Sequence, residues 1–149
     1  MELEKYSKPI LRIIMSLVFL YFGFNQMYSP DNWTGFVPKI IVDISPFTAN
    51  NLVMMNALLE LSLGIFLLLG LYTRFSALIL SLHLFGITTS LGFTPLGIRD
   101  FGLAFATLVV FLNGKDEYCI DNKFANKKSV SILLNLMNTK KIMNMNKDI

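Results

Sequence analysis

Residues 56–74 read NALLELSLGIFLLLGLYTR, a run of leucine, isoleucine, phenylalanine and glycine that carries one carboxylate, Glu60. A hydrocarbon core roughly 30 Å thick is crossed by about 17–25 helical residues, so a segment this apolar reads as a membrane span, here 52–72. Glu60 then lies close to mid-depth. An acidic side chain at a helix centre costs about 2.5–3.5 kcal/mol on insertion scales, which the leucines around it can offset. Insertion is feasible, but the carboxylate needs a partner inside the protein.

Working outward, three more segments fit the same length: 9–28, 75–91 and 95–113. The chain of 149 residues is 54% hydrophobic and only 15% charged, which excludes an ordinary soluble domain. The expected fold is all-α, an integral membrane antiparallel four-helix bundle at 1–124 with a basic tail at 125–149. The first span follows Lys5 and Lys8 as a signal peptide would, but no small-residue cleavage site succeeds it, so it is expected to be retained. Of 13 lysines and arginines, all but Lys39 and Arg99 fall on the side of the termini and of the Arg74 turn, which places both termini in the cytoplasm. The net charge of +3 reflects this asymmetry; without a basic, aromatic-interleaved patch it gives no reason to expect nucleic-acid binding. A single cysteine, Cys119, excludes an intramolecular dithiol cycle.

The long connection SPDNWTGFVPKIIVDISPFTAN, residues 29–50, is expected to carry a short helix after Pro38, with Val37, Ile40, Ile41 and Ile44 at helical spacing. Together with Trp33 and Phe36, these residues suit a loop anchored at the membrane interface more than a lid. Ser45 before Pro46, and Thr94 before Pro95, read as N-caps followed by first helical residues. In the tail, Val130, Leu133, Leu134 and Met137 fit either a surface helix on an anionic leaflet or a mobile segment.

The polar residues of the spans converge. Counted from the turn at Thr73, Glu60 and the only histidine, His83, differ in depth by roughly 4–5 Å at 1.5 Å per residue, within reach across facing helices. Asn56, Glu60 and Gly64 form one stripe, and Ser76, His83, Gly86 and Ser90 are expected to share another. Arg12 is expected to snorkel at the end of the first span. Asn25 and Gln26 share the outer half of the membrane with Arg99. Asp100 suits a helix start, whereas Arg99 is opposed by the helix dipole and needs a carboxylate (Glu60, Asp100 or Asp43) or an external anion.

LYFGFNQ in the first span, ELSLGIFLLLGLYTR, His83, IRDFGLA and the later YCIDNKF together resemble the DoxX family of small four-span membrane proteins, from about residue 9 to 123. The resemblance implies a multi-pass protein of a prokaryotic plasma membrane, associated in several relatives with membrane redox systems, including subunits of a thiosulfate:quinone oxidoreductase. It implies that Glu60, Arg99 and Asp100 belong to an intramembrane polar motif, with His83 matching a branch of the family. Many members carry a lysine after the glycine of the first span, where this chain has Asn25 and Gln26.

Three functions follow. The first is an accessory or quinone-interacting subunit of a redox system, a quinone-linked oxidoreductase subunit if enzymatic. In it Glu60 and His83 exchange protons, while Arg99, Asp100, Asn25, Gln26 and Asn56 bind the substrate. The ligand sets of haem, flavin and iron–sulfur centres do not occur in the sequence, so a dissociable quinone or a soluble or membrane redox partner must carry the electrons. The second is a small proton-coupled transporter or binding module for an anion or lipophilic solute. The third is a purely structural cluster that fixes helix register. One histidine and one or two carboxylates make an incomplete metal-ligand set. The partners expected are the lipid bilayer and, in some assemblies, a second copy of the chain.

Overall fold

The computed structural model describes residues 4–121. The chain forms α1 (Glu4–Tyr28), a 3-10 helix (Pro30–Phe36), α2 (Lys39–Ile44), α3 (Ala49–Leu69), α4 (Thr73–Leu91) and α5 (Pro95–Asn113). The four long helices, α1, α3, α4 and α5, are each long and apolar enough to cross a membrane. The protein is an all-α, multi-pass membrane bundle. The expected tail at 125–149 lies outside the described residues.

Helix boundaries differ from the sequence pattern where local chemistry decides. α1 begins ahead of Pro9 and carries it in its second turn, at the cost of one backbone hydrogen bond. α3 begins after Thr48, whose hydroxyl accepts from the Asn51 N–H at 3.3 Å. Ser45 does not cap it, since its N–H closes α2 on the Ile41 carbonyl at 3.1 Å. α3 ends at Gly70, which takes a left-handed φ of +67°. The Gly70 and Leu71 N–H groups then return to the Leu67 and Phe66 carbonyls, a Schellman closure. Thr94 does cap α5, accepting from the Gly97 N–H at 3.1 Å with Pro95 in the first turn.

The helices pack as two tight pairs, α1 on α3 and α4 on α5, with lighter contact between the pairs. Small residues set each pair. A Cβ on Gly23 would lie 2.8 Å from the Leu61 side chain, and Gly64 faces Phe19 and Leu20 across the same seam. On the other side Ala77, Ser81, Ala104 and Thr107 are fully buried, and the Ser81 hydroxyl donates to the Ala104 carbonyl at 3.0 Å. Such residues let membrane helices approach closely where no hydrophobic force draws them together. Met15, Phe19, Leu67, Leu80 and Leu84 fill the shared core.

At the end bearing residue 4, the segment after α5 locks the helices together. Arg12, expected to snorkel, is buried at 2% exposure. Its Nε donates to Asp116 at 2.6 Å and its Nη1 to the Leu67 and Leu68 carbonyls at 2.8 and 2.7 Å. A cation thereby meets carbonyls of the last turn of α3, at the negative end of its dipole. Asp121 accepts from the Tyr72 and Thr73 N–H groups at 3.1 and 3.2 Å, which places an anion at the start of α4. Between these two anchors Cys119 is buried against Gly70, so close that a Cβ on the glycine would lie 2.6 Å from the Cys119 Cα.

Burial alone would raise the Asp116 carboxyl. Hydrogen bonds from Arg12 and the Tyr118 N–H, the Arg12 charge and a contact with Cys119 outweigh it and hold the group below its ordinary 3.8. A carboxyl depressed in the folded state contributes stability that is complete above its unfolded value and is lost as pH falls through the folded one. Asp116→Asn, which leaves Arg12 buried without its anion, is therefore expected to cost about 3–5 kcal/mol at neutral pH. In detergent melts followed by circular dichroism, the gap to the wild type should narrow only below pH 3.8. A gap of constant size into strong acid would show that Asp116 does not carry this charge.

Candidate functional site

Between the two helix pairs, towards the end bearing the 29–50 connection, lies a cavity of about 310 Å³. That is within the range of small-molecule sites, roughly 300–1,000 Å³. Phe19, Phe22, Leu84, Ile87 and Leu103 supply apolar wall, and Gln26, Asn56, Glu60, Arg99 and Asp100 supply the polar part. Every long helix contributes. The 3-10 helix and the residues after it close the mouth with Trp33, Phe36, Val37 and Pro38. Trp33 meets the Phe22 ring edge-on, with centroids 5.8 Å apart, and Asn50 ties the same segment to α3 by donating to Asp31 at 2.7 Å. The 29–50 connection therefore covers the cavity, a role the interface-anchor reading passed over. Ile40, Ile41 and Ile44 of α2 remain exposed beside it.

Glu60 is 3% exposed and is held from two helices. Gln26 of α1 donates its amide to Oε2 at 3.1 Å, and Asn56, one turn earlier on α3, donates to Oε1 at 3.1 Å. Asn56 Nδ2 also reaches the Gln26 carbonyl at 2.7 Å, so the three side chains close a ring. On the far side His83 Nε2 stands 3.5 Å from Glu60 Oε1. That is ion-pair distance without hydrogen-bond alignment, and Nε2 is buried with no hydrogen-bond partner among the described residues. A small rotation would complete a Glu–His contact along which a proton can move.

Arg99 pairs with its neighbour Asp100, Nε to Oδ1 at 2.8 Å, and stacks its guanidinium 5.0 Å from the Phe22 ring centroid. Asp100 is buried in the second turn of α5, not at the helix start, and is the carboxylate that pairs with Arg99. This settles the partner Arg99 required.

Two expected placements fail. Asn25 does not reach the cavity: it is exposed and returns its amide to the Tyr21 carbonyl at 3.0 Å. Adjacent helical residues point about 100° apart, so only one of Asn25 and Gln26 could face inward, and Gln26 does. Gly86 and Ser90 face outward, because the inner stripe of α4 runs through Ser76, Leu80, Leu84 and Ile87 and leaves His83 on its edge. The Gln26–Glu60 contact itself escaped sequence reasoning, although the glycine at Gly23, which lets α1 sit against α3 one turn away, was its visible signal. Among the described residues no group of three histidine, cysteine or acidic side chains gathers as a metal site.

A membrane bundle of four helices with a covered, amphipathic, ligand-sized cavity between its two halves is the class the fold and site define. The chain matches the DoxX family over residues 8–94, more than half its length, and belongs to that family. The match takes in α1, α3 and α4 and stops at the cap of α5, so Arg99 and Asp100 lie beyond it. Comparison with curated proteins and with solved structures found no match.

Because side-chain hydrogen bonds within membrane bundles average about 0.6 kcal/mol, Glu60→Gln should fold with a loss under about 1 kcal/mol. Glu60→Leu, which strands the Gln26 and Asn56 donors, should lose about 1–3 kcal/mol. Parallel thermal melts in one detergent measure both. Equal losses would mean that the ring of amides does not recognise the carboxylate.

Proposed function

We propose that this DoxX protein is a quinone-interacting, accessory subunit of a membrane redox system, set in a prokaryotic plasma membrane with both termini cytoplasmic. The observation that carries this reading is the cavity itself: an apolar and aromatic chamber at membrane depth whose polar side is a carboxylate held by two amides, with an imidazole behind it. A cluster that served only to fix helix register would need no chamber beside it.

A quinone head group is planar, apolar on its faces and hydrogen-bond accepting at its oxygens. Phe22 and Trp33 suit the faces. Gln26, with one amide hydrogen beyond that given to Glu60, and Arg99, with its terminal nitrogens, suit the oxygens. Reduction of a quinone consumes electrons and protons in equal number; the electrons would come from a redox partner. The chain's own residues bind and orient the ring, the 29–50 cover keeps water out, and Glu60 and His83 hold and pass the protons. A carrier for a small anion is the weaker reading, because Asp100 already neutralises the one arginine that faces the cavity.

Trp33 is the only tryptophan and lines the cavity, so its fluorescence reports occupancy directly. Titration with a short-chain quinone should quench it saturably. Gln26→Met and Arg99→Lys, which alter the two donors that suit the quinone oxygens, should each weaken binding by about tenfold, the worth of one good hydrogen bond. Quenching that never saturates, or that is identical in all three proteins, would count against the reading.

A further inference from the structure

The cavity has two polar poles, and the proton-exchanging group occupies only one of them. At the first, Gln26, Asn56 and Glu60 form a closed ring of hydrogen bonds. At the second, Arg99 uses Nε on Asp100, and its two terminal nitrogens donate to no group among the described residues, although the residue lines the cavity. The two poles are close. Phe22, on which the Arg99 guanidinium rests, precedes Gln26 by one helical turn on the same face of α1, which separates their backbones by about 6 Å. That spacing is on the scale of a single ring with an oxygen at each end. The Phe22 and Trp33 rings, set at 88° to each other, line the same cavity.

A ligand with one polar end would satisfy the first pole and press apolar surface on the guanidinium, stripping its nitrogens of water with nothing in return. A free anion would meet a guanidinium whose charge Asp100 already balances. The group that fits is a neutral oxygen able to accept hydrogen bonds, at the opposite end of the ring from the oxygen facing Gln26. We infer that Arg99 is the specificity-determining residue of this site and that it selects planar rings bearing acceptor oxygens at both ends. The inference rests on the cavity's being the binding site and adds which of its ligands is preferred and why. What singles out Arg99 is its terminal nitrogens, which donate to no group among the described residues, and its place in the cavity wall.

The test uses the full-length protein in detergent with two probes of similar skeleton, 1,4-naphthoquinone and 1-tetralone, which keeps the fused ring system and one carbonyl. Binding is read by Trp33 quenching for the quinone and by displacement of the quinone for the ketone. The wild type should prefer the quinone by about tenfold, one hydrogen bond's worth. The paired change Arg99→Met with Asp100→Asn, which leaves no stranded carboxylate, should abolish that preference, because the quinone loses its second hydrogen bond and tetralone no longer covers a guanidinium. Arg99→Lys, which keeps a cation but not the planar fork, should lose most of it as well. A preference that survives in the paired variant overturns the inference. So does its absence from the wild type, in which case saturable quinone binding would still leave the cavity reading standing. If neither probe binds, both fall. If phosphatidylglycerol displaces the quinone from the wild type and not from the variant, Arg99 holds a lipid phosphate and the assignment is wrong.

Discussion

A carboxylate at the level of the hydrocarbon must receive its hydrogen-bond donors from the protein, because the lipid has none to offer. In this bundle Gln26 and Asn56 meet that demand for Glu60 from two different helices, and the rest of the architecture follows from how they do so. To bring Gln26 within reach, α1 must lie close on α3, which the glycines at Gly23 and Gly64 permit. With α1 committed to α3, and α4 drawn to α5 by its own seam of small residues, the space between the pairs is left partly unfilled. The polar side chains look into that space, and it is closed at one end by aromatic residues of the 29–50 segment.

The two ends of the bundle are built on opposite principles. At one, the Arg12–Asp116 pair, the Asp121 cap and the buried Cys119 bind the segment after α5 to the ends of α1, α3 and α4. A buried ion pair of this kind gains less net stability than its geometry suggests, but breaking it strands a charge, so it holds this end in one arrangement. At the other end the cover is made of ring contacts and one exposed amide–carboxylate hydrogen bond, which open far more easily. Rigidity at one end and a light cover at the other is the arrangement that the proposed entry of a lipid-dissolved molecule requires.

The fold was legible because it depends on length and hydropathy, quantities each span carries by itself. The Glu60–His83 meeting was legible too, since both depths can be counted from one short turn. What could not be read were contacts decided by helix rotation and by long-range return of the chain. Gln26 and Asn25 look alike in sequence, and only the rotation of α1 tells them apart. Arg12 looks like a snorkelling residue until the segment after α5 folds back and supplies Asp116. Trp33 looks like an interfacial anchor, and in place it closes a cavity whose other walls come from residues up to 70 positions away. Arg99 and Asp100, adjacent in sequence, were recognised as a polar pair, but that they pair with each other at a cavity wall emerges only from the burial of Asp100 beside a half-exposed Arg99.

The central claim is that Glu60 faces a ligand and exchanges a proton in doing so. Infrared difference spectroscopy, comparing the protein with and without a short-chain quinone, tests it most directly, because a carboxyl group's carbonyl stretch changes with its protonation and its hydrogen bonds. A carboxyl band should appear in the wild-type difference spectrum, vanish in Glu60→Gln and move in His83→Ala. Identical spectra from wild type and Glu60→Gln, with quinone bound in both, would contradict it.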